Sequence, residues 1–151
     1  ELPSKLLMVG EGPEKRNAEL QVKKLGIEDK VIFLGNSHEI SKILCYTDVF
    51  LLPSESESFG LAALEAMAAS TAVISTNTGG LPEVNIHGKT GYLSNLGDCD
   101  NMSLNAISIL KDDEILANFK KAAKEHTKKF CLDNILPIYV DVYNAALNKI
   151  H

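Results

Sequence analysis

The chain has 151 residues and a mass of 16.4 kDa, enough for one domain with a sizeable core but not for two. Hydrophobic residues make up 45% and charged residues 23%, which excludes a disordered or fibrous protein. The net charge of −5 disfavours binding to duplex nucleic acid, which needs a concentrated positive face. No apolar stretch approaches the roughly 20 residues of a membrane helix, and no signal peptide opens the chain. Three widely spaced cysteines outside any CxxC motif argue against disulfides or structural zinc and favour a reducing, cytoplasmic compartment.

Two kinds of segment alternate along the chain. Apolar runs without polar alternation have the length of strands covered on both faces, and they lie at residues 5–9, 31–34, 49–52, 72–74 and 91–93. Helical spacing of apolar residues occurs between and after them, at residues 14–25, 39–46, 59–69, 101–110, 112–128 and 133–148. The repetition of strand and helix with short connections predicts an α/β fold, a Rossmann-like parallel sheet flanked by helices, in one domain over residues 1–151.

The stretch from Pro53 to Met67 carries the clearest functional signal. A strand ends at Pro53, a polar loop follows, and a helix begins near residues 58–60. In an open parallel sheet, ligands bind beyond the carboxyl ends of the strands and beside the helices that follow. Gly60 has no side chain to keep a phosphate group at a distance. The backbone N–H groups that we expect to point into this site, where the helix dipole favours an anion, are those of Phe59, Gly60 and Leu61.

Two glutamates accompany this helix start. Glu65 is the only charged residue between Phe59 and Ala69, in a segment that is otherwise apolar and therefore expected to be buried. A buried carboxylate is costly unless it is paired or hydrogen-bonded. Glu65 is therefore either a carboxylate that lines a cleft and accepts hydrogen bonds from ligand hydroxyls, or a solvent-facing acid at the helix edge. Glu57, in the preceding loop, is either a second ligand-binding carboxylate or a solvated loop acid.

Other loops give weaker signals. Residues 10–13 share two glycines with the dinucleotide-binding fingerprint, but the third glycine is missing and Pro13 stands where the phosphate-binding helix would begin. The turn at Asn36 and Ser37 is either a plain connection or the wall of a ligand site. The four histidines show no metal-ligand spacing, and no Ser or Cys occupies a nucleophile elbow. We therefore expect neither a metal ion nor a cofactor, and no hydrolase chemistry.

The spacing Glu57-x7-Glu65, with Ser-Phe-Gly after the first glutamate and Ala-Met after the second, resembles the signature of the family 4 retaining glycosyltransferases. Further segments resemble the same family in its own order, at residues 5–14, 31–35, 48–54, 78–84 and 87–92. The resemblance spans essentially the whole chain. It implies a GT-B enzyme, in which two Rossmann-like halves enclose a cleft, and it implies that residues 1–151 are most of the second, donor-binding half of a longer enzyme.

The resemblance also implies roles for individual residues. Glu65 would hold the ribose hydroxyls of UDP, and Glu57 would contact the transferred sugar at the catalytic centre. Asn36 and Ser37 would flank the uracil. The backbone amides that would meet the sugar and the diphosphate are those of Phe59, Gly60 and Leu61. The donor is then a UDP-sugar such as UDP-N-acetylglucosamine, the acceptor binds mainly to the other half, and the enzyme is cytoplasmic or peripheral to a membrane.

The chain departs from the family at two points. Ala69-Ser70-Thr71 stands where the family has a glycine that ends the helix in the left-handed conformation, so a change in this turn is expected. The family's first βα unit, which carries an Arg and a Lys for the diphosphate, is expected upstream of Glu1 together with the acceptor-binding half, so the fragment itself is expected to be inactive. Without that central strand, the strands at residues 5–9 and 49–52 would pair with each other or leave open edges through which copies of the chain associate.

Two other functions fit parts of this pattern. A UDP-sugar epimerase uses the same two-domain cleft, but the glutamate signature in this form favours transfer. A non-catalytic interaction module would leave residues 59–69 as a core helix with Glu65 exposed. A receiver-type module would also need an acceptor aspartate at the end of a strand, whereas Asp48 begins its strand.

Overall fold

The structure, a computed structural model, describes residues 2–148. It separates the chain into two compact units, Glu1–Lys42 and Ile43–His151. The assignment of residues 1–151 to one donor-binding domain stays a prediction. The strands form two hydrogen-bonded sheets, one in each unit. Within each sheet the strands are parallel and are connected through helices, so the predicted Rossmann-like α/β fold is confirmed.

The first unit is a two-stranded parallel sheet with one helix, and its elements are β1 (Leu6–Val9), α1 (Lys15–Leu25) and β2 (Val31–Gly35). The helix α1 ends at Gly26, whose φ of 65° is left-handed. A glycine at this position ends a helix without steric cost. The helix α2 (Ile40–Cys45) follows β2 and spans the division between the units.

The second unit is built on a three-stranded sheet with the strand order β3–β4–β5, formed by β3 (Val49–Leu52), β4 (Ala72–Thr76) and β5 (Gly91–Ser94). Every residue of β4 is buried, because this strand is central and covered on both faces. Ile74 of β4 lies opposite Leu51 on one side and Tyr92 on the other. Since β1 and β3 belong to different sheets, the direct pairing of these two strands that was considered above is not formed. Association of copies through open edges stays a prediction.

Helices cover this sheet and continue beyond its last strand. They are α3 (Leu61–Ala68), α4 (Leu81–Val84), α5 (Cys99–Leu110), α6 (Asp113–Thr127), a 3-10 helix (Lys128–Phe130) and α7 (Leu132–Leu147). The start of α6 is capped by Asp112, whose carboxylate accepts hydrogen bonds from the N–H groups of Glu114 at 2.9 Å and Ile115 at 3.0 Å. The helix α4 was not predicted, because its four residues are too few to show a helical period.

The core of the second unit joins β4 to α5 and α6. Ala72 and Ile74 of β4 pack with Ile109 of α5 and Phe119 of α6, and all four side chains are buried. Burial of each of the three larger side chains contributes about 1.5–3 kcal/mol. This packing holds the sheet whose carboxyl edge carries the candidate site.

A buried polar network connects β4 to β5. The Nδ2 atom of Asn85 lies within 3.0–3.2 Å of the carbonyl oxygens of Val73 and Tyr92 and of the hydroxyl of Ser75. The hydroxyl of Thr90 donates to Oδ1 of Asn85 at 2.9 Å. Because Asn85 and Thr90 are fully buried, each of these bonds avoids the cost of an unsatisfied polar group. The network fixes the connection between α4 and β5.

The end of α3 keeps the left-handed turn that a glycine normally provides. Ser70 adopts this turn with a φ of 65°. Within residues 2–148, no other residue except glycine has a positive φ. Its N–H donates to the carbonyl of Met67, and the N–H of Thr71 donates to that of Ala66, both at 3.0 Å. The expected change in this turn is therefore wrong, because these two hydrogen bonds close the helix even without glycine.

Candidate functional site

The candidate site is the loop between β3 and α3, at the carboxyl edge of the three-stranded sheet. The carbonyl oxygen of Ser54, two residues after β3, accepts hydrogen bonds from the hydroxyls of Thr76 at 2.7 Å and of Thr78 at 3.2 Å. The two hydroxyls also contact each other at 3.1 Å. These bonds hold the end of β3 against the end of β4 and determine where the loop to α3 begins.

Two glycines after β4 allow a close contact between two backbone segments. A Cβ atom at Gly79 would lie 1.7 Å from the carbonyl oxygen of Glu57, and one at Gly80 would lie 2.6 Å from the carbonyl oxygen of Ser58. Gly79 also has a left-handed φ of 54°. The N–H of Gly80 donates to the carbonyl oxygen of Glu57 at 3.1 Å. The sequence did not predict this contact, because it joins residues that are distant along the chain.

The start of α3 has no capping side chain. Gly60, at the N-cap with a φ of 99°, offers no capping side chain, so the first N–H groups of α3 have no acceptor from the cap or within the helix. The N–H of Gly60 itself donates to Oε1 of Glu57 at 3.2 Å. A carboxylate oxygen thus occupies the position where the sequence predicted a ligand oxygen at the Gly60 amide. The positive end of the helix dipole favours such an anion.

Glu65 lies on the exposed face of α3. The residues of this helix that are buried are Ala63, Ala66 and Met67. The expectation that the apolar segment places Glu65 in buried surroundings is wrong, because α3 packs one face against β4 and α6 and leaves the other open. Within residues 2–148 the Glu65 carboxylate has no hydrogen-bond or ion-pair partner. Both of its oxygens are therefore available to accept hydrogen bonds.

Two apolar side chains flank the start of α3. Phe59 is 38% exposed, and its ring packs edge-on against that of Phe130, with 5.9 Å between centroids. Leu61 is 64% exposed. Phe130 belongs to the 3-10 helix near the end of the chain, and no pattern in the sequence connects it with Phe59. The ring contact positions the backbone next to Gly60.

Asn36 and Ser37 lie in the first unit, directly after β2. The hydroxyl of Ser37 accepts a hydrogen bond from the N–H of Glu39 at 3.1 Å, an ordinary turn contact that leads into α2. Asn36 is exposed. Their role beside a uracil ring stays a prediction.

Backbone amides and carboxylates are the groups that the site provides to a ligand. In the part of the chain that the structure describes, no cluster of three or more His, Cys, Asp or Glu residues is arranged to hold a metal ion. None of the helices in that same part has the length and apolar character needed to cross a bilayer. The cysteines are free and exposed, and they are Cys45, Cys99 and Cys131. The polar groups available at the loop are the amides at the start of α3 and the side chains of Glu57 and Glu65.

Comparison with solved structures identifies the class of fold as GT-B. HepE from Anabaena in complex with UDP aligns with this chain with a TM-score of 0.86 at 23% identity, over 94% of this chain and 41% of that protein. Sucrose-phosphate synthase from Thermosynechococcus elongatus aligns with a TM-score of 0.81 at 29% identity, over 96% of this chain and 39% of that one. The chain therefore has the α/β fold of GT-B glycosyltransferases.

The chain belongs to the glycosyl transferases group 1, whose family model matches residues 2–126. It is 44% identical over 148 residues to N-acetyl-alpha-D-glucosaminyl L-malate synthase of Bacillus anthracis. The aligned residues cover 97% of this chain and 39% of that relative. It is 35% identical over 132 residues to a sulfoquinovosyl transferase of Arabidopsis thaliana, covering 84% of this chain and 25% of that relative. The sequence-based assignment to a glycosyltransferase family is confirmed, and the chain spans two fifths or less of the length of these relatives.

Proposed function

We propose that this chain is the donor-binding half of a retaining family 4 glycosyltransferase that transfers a sugar from a UDP-sugar to an acceptor hydroxyl. Family membership and the fold support the transferase class. The name of the 44% identical relative, which describes an N-acetylglucosaminyl product of L-malate, favours UDP-N-acetylglucosamine as the donor. The acceptor would bind mainly to the part of the enzyme that corresponds to the remaining length of the relatives.

The observation that carries the proposal is the uncapped start of α3, where the Gly60 amide donates a hydrogen bond to the carboxylate of Glu57. The oxygens of a diphosphate carry the same kind of charge as that carboxylate and would gain the same interaction with the helix dipole, up to about 2 kcal/mol at a partly buried site. Donor binding would place a phosphate or sugar oxygen at the Gly60 amide. Glu57 would then turn from this amide to the hydroxyls of the transferred sugar.

Glu65 would bind the ribose of the same donor. It follows Leu61 by four residues, which is about 6 Å along the helix axis, and the exposed face of α3 carries it. In UDP the ribose adjoins the diphosphate, so a diphosphate at the start of α3 brings the ribose within reach of a residue one turn further. A carboxylate without a partner can accept hydrogen bonds from two neighbouring hydroxyls.

The glutamates would bind and position the donor, and neither would act as a nucleophile. The acceptor oxygen would form its bond to the anomeric carbon on the face from which UDP leaves, and the acceptor proton would pass to the leaving phosphate. Electrostatic stabilisation of the departing diphosphate by amides aimed at it would lower the barrier. We propose that this chemistry needs no metal ion, so a chelator should leave the transfer rate unchanged.

Nucleotide titrations followed by amide NMR of the isotope-labelled chain test the proposal. UDP should shift the signals of Gly60 and Leu61 at lower concentrations than ADP or GDP. Glu65→Gln should weaken UDP binding by tenfold or more, because charge-assisted hydrogen bonds contribute about 1.5–3 kcal/mol each and glutamine keeps the side-chain shape. The matched control is Glu55→Gln, which removes an exposed acid from the preceding loop and should not change the affinity.

The outcomes separate the two glutamates. An unchanged affinity of Glu65→Gln for UDP would remove the ribose assignment. Glu57→Gln should reduce the affinity for UDP-N-acetylglucosamine relative to that for UDP, since this side chain is assigned to the sugar. Absence of any shift near Gly60 with all three nucleotides would overturn the proposed donor site and would favour a non-catalytic module.

A further inference from the structure

A second concave surface lies outside the candidate donor site, on the side of the second unit formed by α6, the 3-10 helix and α7. It is a cavity of about 490 Å³ between these elements and the turn before β5. This volume falls within the range of small-molecule sites, about 300–1,000 Å³. The charged and titratable residues that line it are Lys89, Lys121, Glu125, His126, Lys128 and Lys129.

The cavity concentrates positive charge in a chain whose net charge is −5. Lys128 pairs with Glu125 at 2.6 Å, the one acid among the lining residues. Lys89, Lys121 and Lys129 have no acidic partner within residues 2–148. Three like charges around one concave surface repel each other, and an anion between them would convert this repulsion into attraction.

His126 forms part of the wall of the cavity. Its side chain is only 8% exposed, and its Nε2 atom is buried without a hydrogen-bond partner among the described residues. Phe130 packs edge-on against the imidazole, with 5.5 Å between centroids. A buried polar atom without a partner costs stability.

We propose that this cavity binds a phosphate-bearing small molecule, with the phosphate held by Lys89, Lys121 and Lys129 and the organic part in the space beside His126. Each lysine ammonium group provides three donors and a full charge, which suits a phosphate dianion better than a single carboxylate. The volume exceeds what a bare phosphate ion needs, so an organic part fits as well. A duplex nucleic acid would instead need a basic surface that extends over one face.

The site is distinct from the candidate donor site, although Phe130 contacts both His126 and Phe59. Signals of residues 121–129 report on the cavity, whereas signals of residues 57–61 report on the donor loop. Binding of phosphate at one location therefore does not count as binding at the other, and either proposal can fail alone.

Inorganic phosphate is the probe for the test, added to the isotope-labelled chain at an ionic strength kept constant with sodium chloride. We expect saturable shifts of the amide signals of residues 121–129 that chloride alone does not produce. The double variant Lys121→Gln and Lys129→Gln should weaken phosphate binding at least tenfold. The single variant Lys89→Gln, at an exposed residue, should also weaken phosphate binding. The control is Lys23→Gln with Lys24→Gln, in the last turn of α1, which should leave binding unchanged.

The imidazole of His126 provides an independent readout. Burial lowers its pKa, and the charges of Lys129 and Lys89 lower it further. Phosphate bound among the lysines should raise this pKa in the wild-type chain and not in the double variant. Shifts that chloride reproduces, binding that is equal in wild type and variants, or a His126 pKa that phosphate does not move would each overturn the proposal.

Discussion

Replacement of Gly79 by alanine is expected to displace the loop that carries Glu57. The new Cβ atom would lie 1.7 Å from the carbonyl oxygen of Glu57 and 2.8 Å from its carbonyl carbon, whereas ordinary contacts begin near 3.4 Å. The carbonyl group would have to move by more than about 1 Å, a shift that a close-packed structure resists. The movement would break the hydrogen bond from the Gly80 N–H, now 3.1 Å long, and would move the carboxylate that binds Gly60.

The expected loss of stability combines three costs. Alanine at the left-handed φ of Gly79 costs about 1–2 kcal/mol. Overpacking against a backbone carbonyl costs about 1–3 kcal/mol, and the lost hydrogen bond adds about 0.5–1.5 kcal/mol. The free energy of unfolding should fall by about 2.5–6.5 kcal/mol, a large part of the roughly 5–15 kcal/mol that stabilises a domain.

Gly88→Ala separates the backbone cost from the steric clash. Gly88 has a left-handed φ of 73°, but no atom lies within 4 Å of the position that its Cβ would take. Its substitution should therefore cost only about 1–2 kcal/mol. Urea denaturation of wild type and both variants measures the difference. Equal losses for Gly79→Ala and Gly88→Ala would refute the close contact between Gly79 and Glu57.

Two further predictions concern stability. Ser70→Gly should raise the free energy of unfolding by about 0.5–1 kcal/mol. The substitution relieves about 1–2 kcal/mol of left-handed strain, and the greater flexibility of glycine in the unfolded chain cancels part of this gain. Midpoints of urea denaturation measure the change, and a less stable variant would contradict the prediction. The pKa of His126 is lowered mainly by burial, so the unfolded chain binds its proton more tightly. The contribution of His126 to the free energy of unfolding is therefore fully present above the pKa of the unfolded chain, about 6.5. This contribution is lost as the pH falls below that value. Thermal unfolding over this range should show a smaller slope with pH for His126→Gln, and an unchanged slope would show that other groups cause it.

Secondary structure was largely predictable because its signals are local. The predicted strand at residues 31–34 is β2 (Val31–Gly35), and the predicted helix at residues 133–148 is α7 (Leu132–Leu147). Apolar runs and helical spacing depend only on neighbouring residues, so a single sequence contains them. The exposed side chains of α7 illustrate the limit of this information: the helix buries none of its residues, although its composition is apolar.

The candidate site was predictable where its contacts are local as well. The bond between Glu57 and Gly60 joins residues three positions apart, and a glycine before a helix indicates an open N-terminus. The contact of Phe59 with Phe130 joins residues far apart in the chain and has no pattern in the sequence. The lysine-lined cavity around His126 was not predicted for the same reason.

The sequence by itself determined the α/β class, the order of its strands and helices, and the residue types at the start of α3. Tertiary structure alone decided which face of each element is covered. Glu65 shows the difference: its apolar neighbours predicted buried surroundings, yet α3 turns only Ala63, Ala66 and Met67 towards the interior. The physical reason is that burial depends on which element packs against a residue, here α6 and β4 on one side of α3, and that partner is specified by contacts between distant parts of the chain.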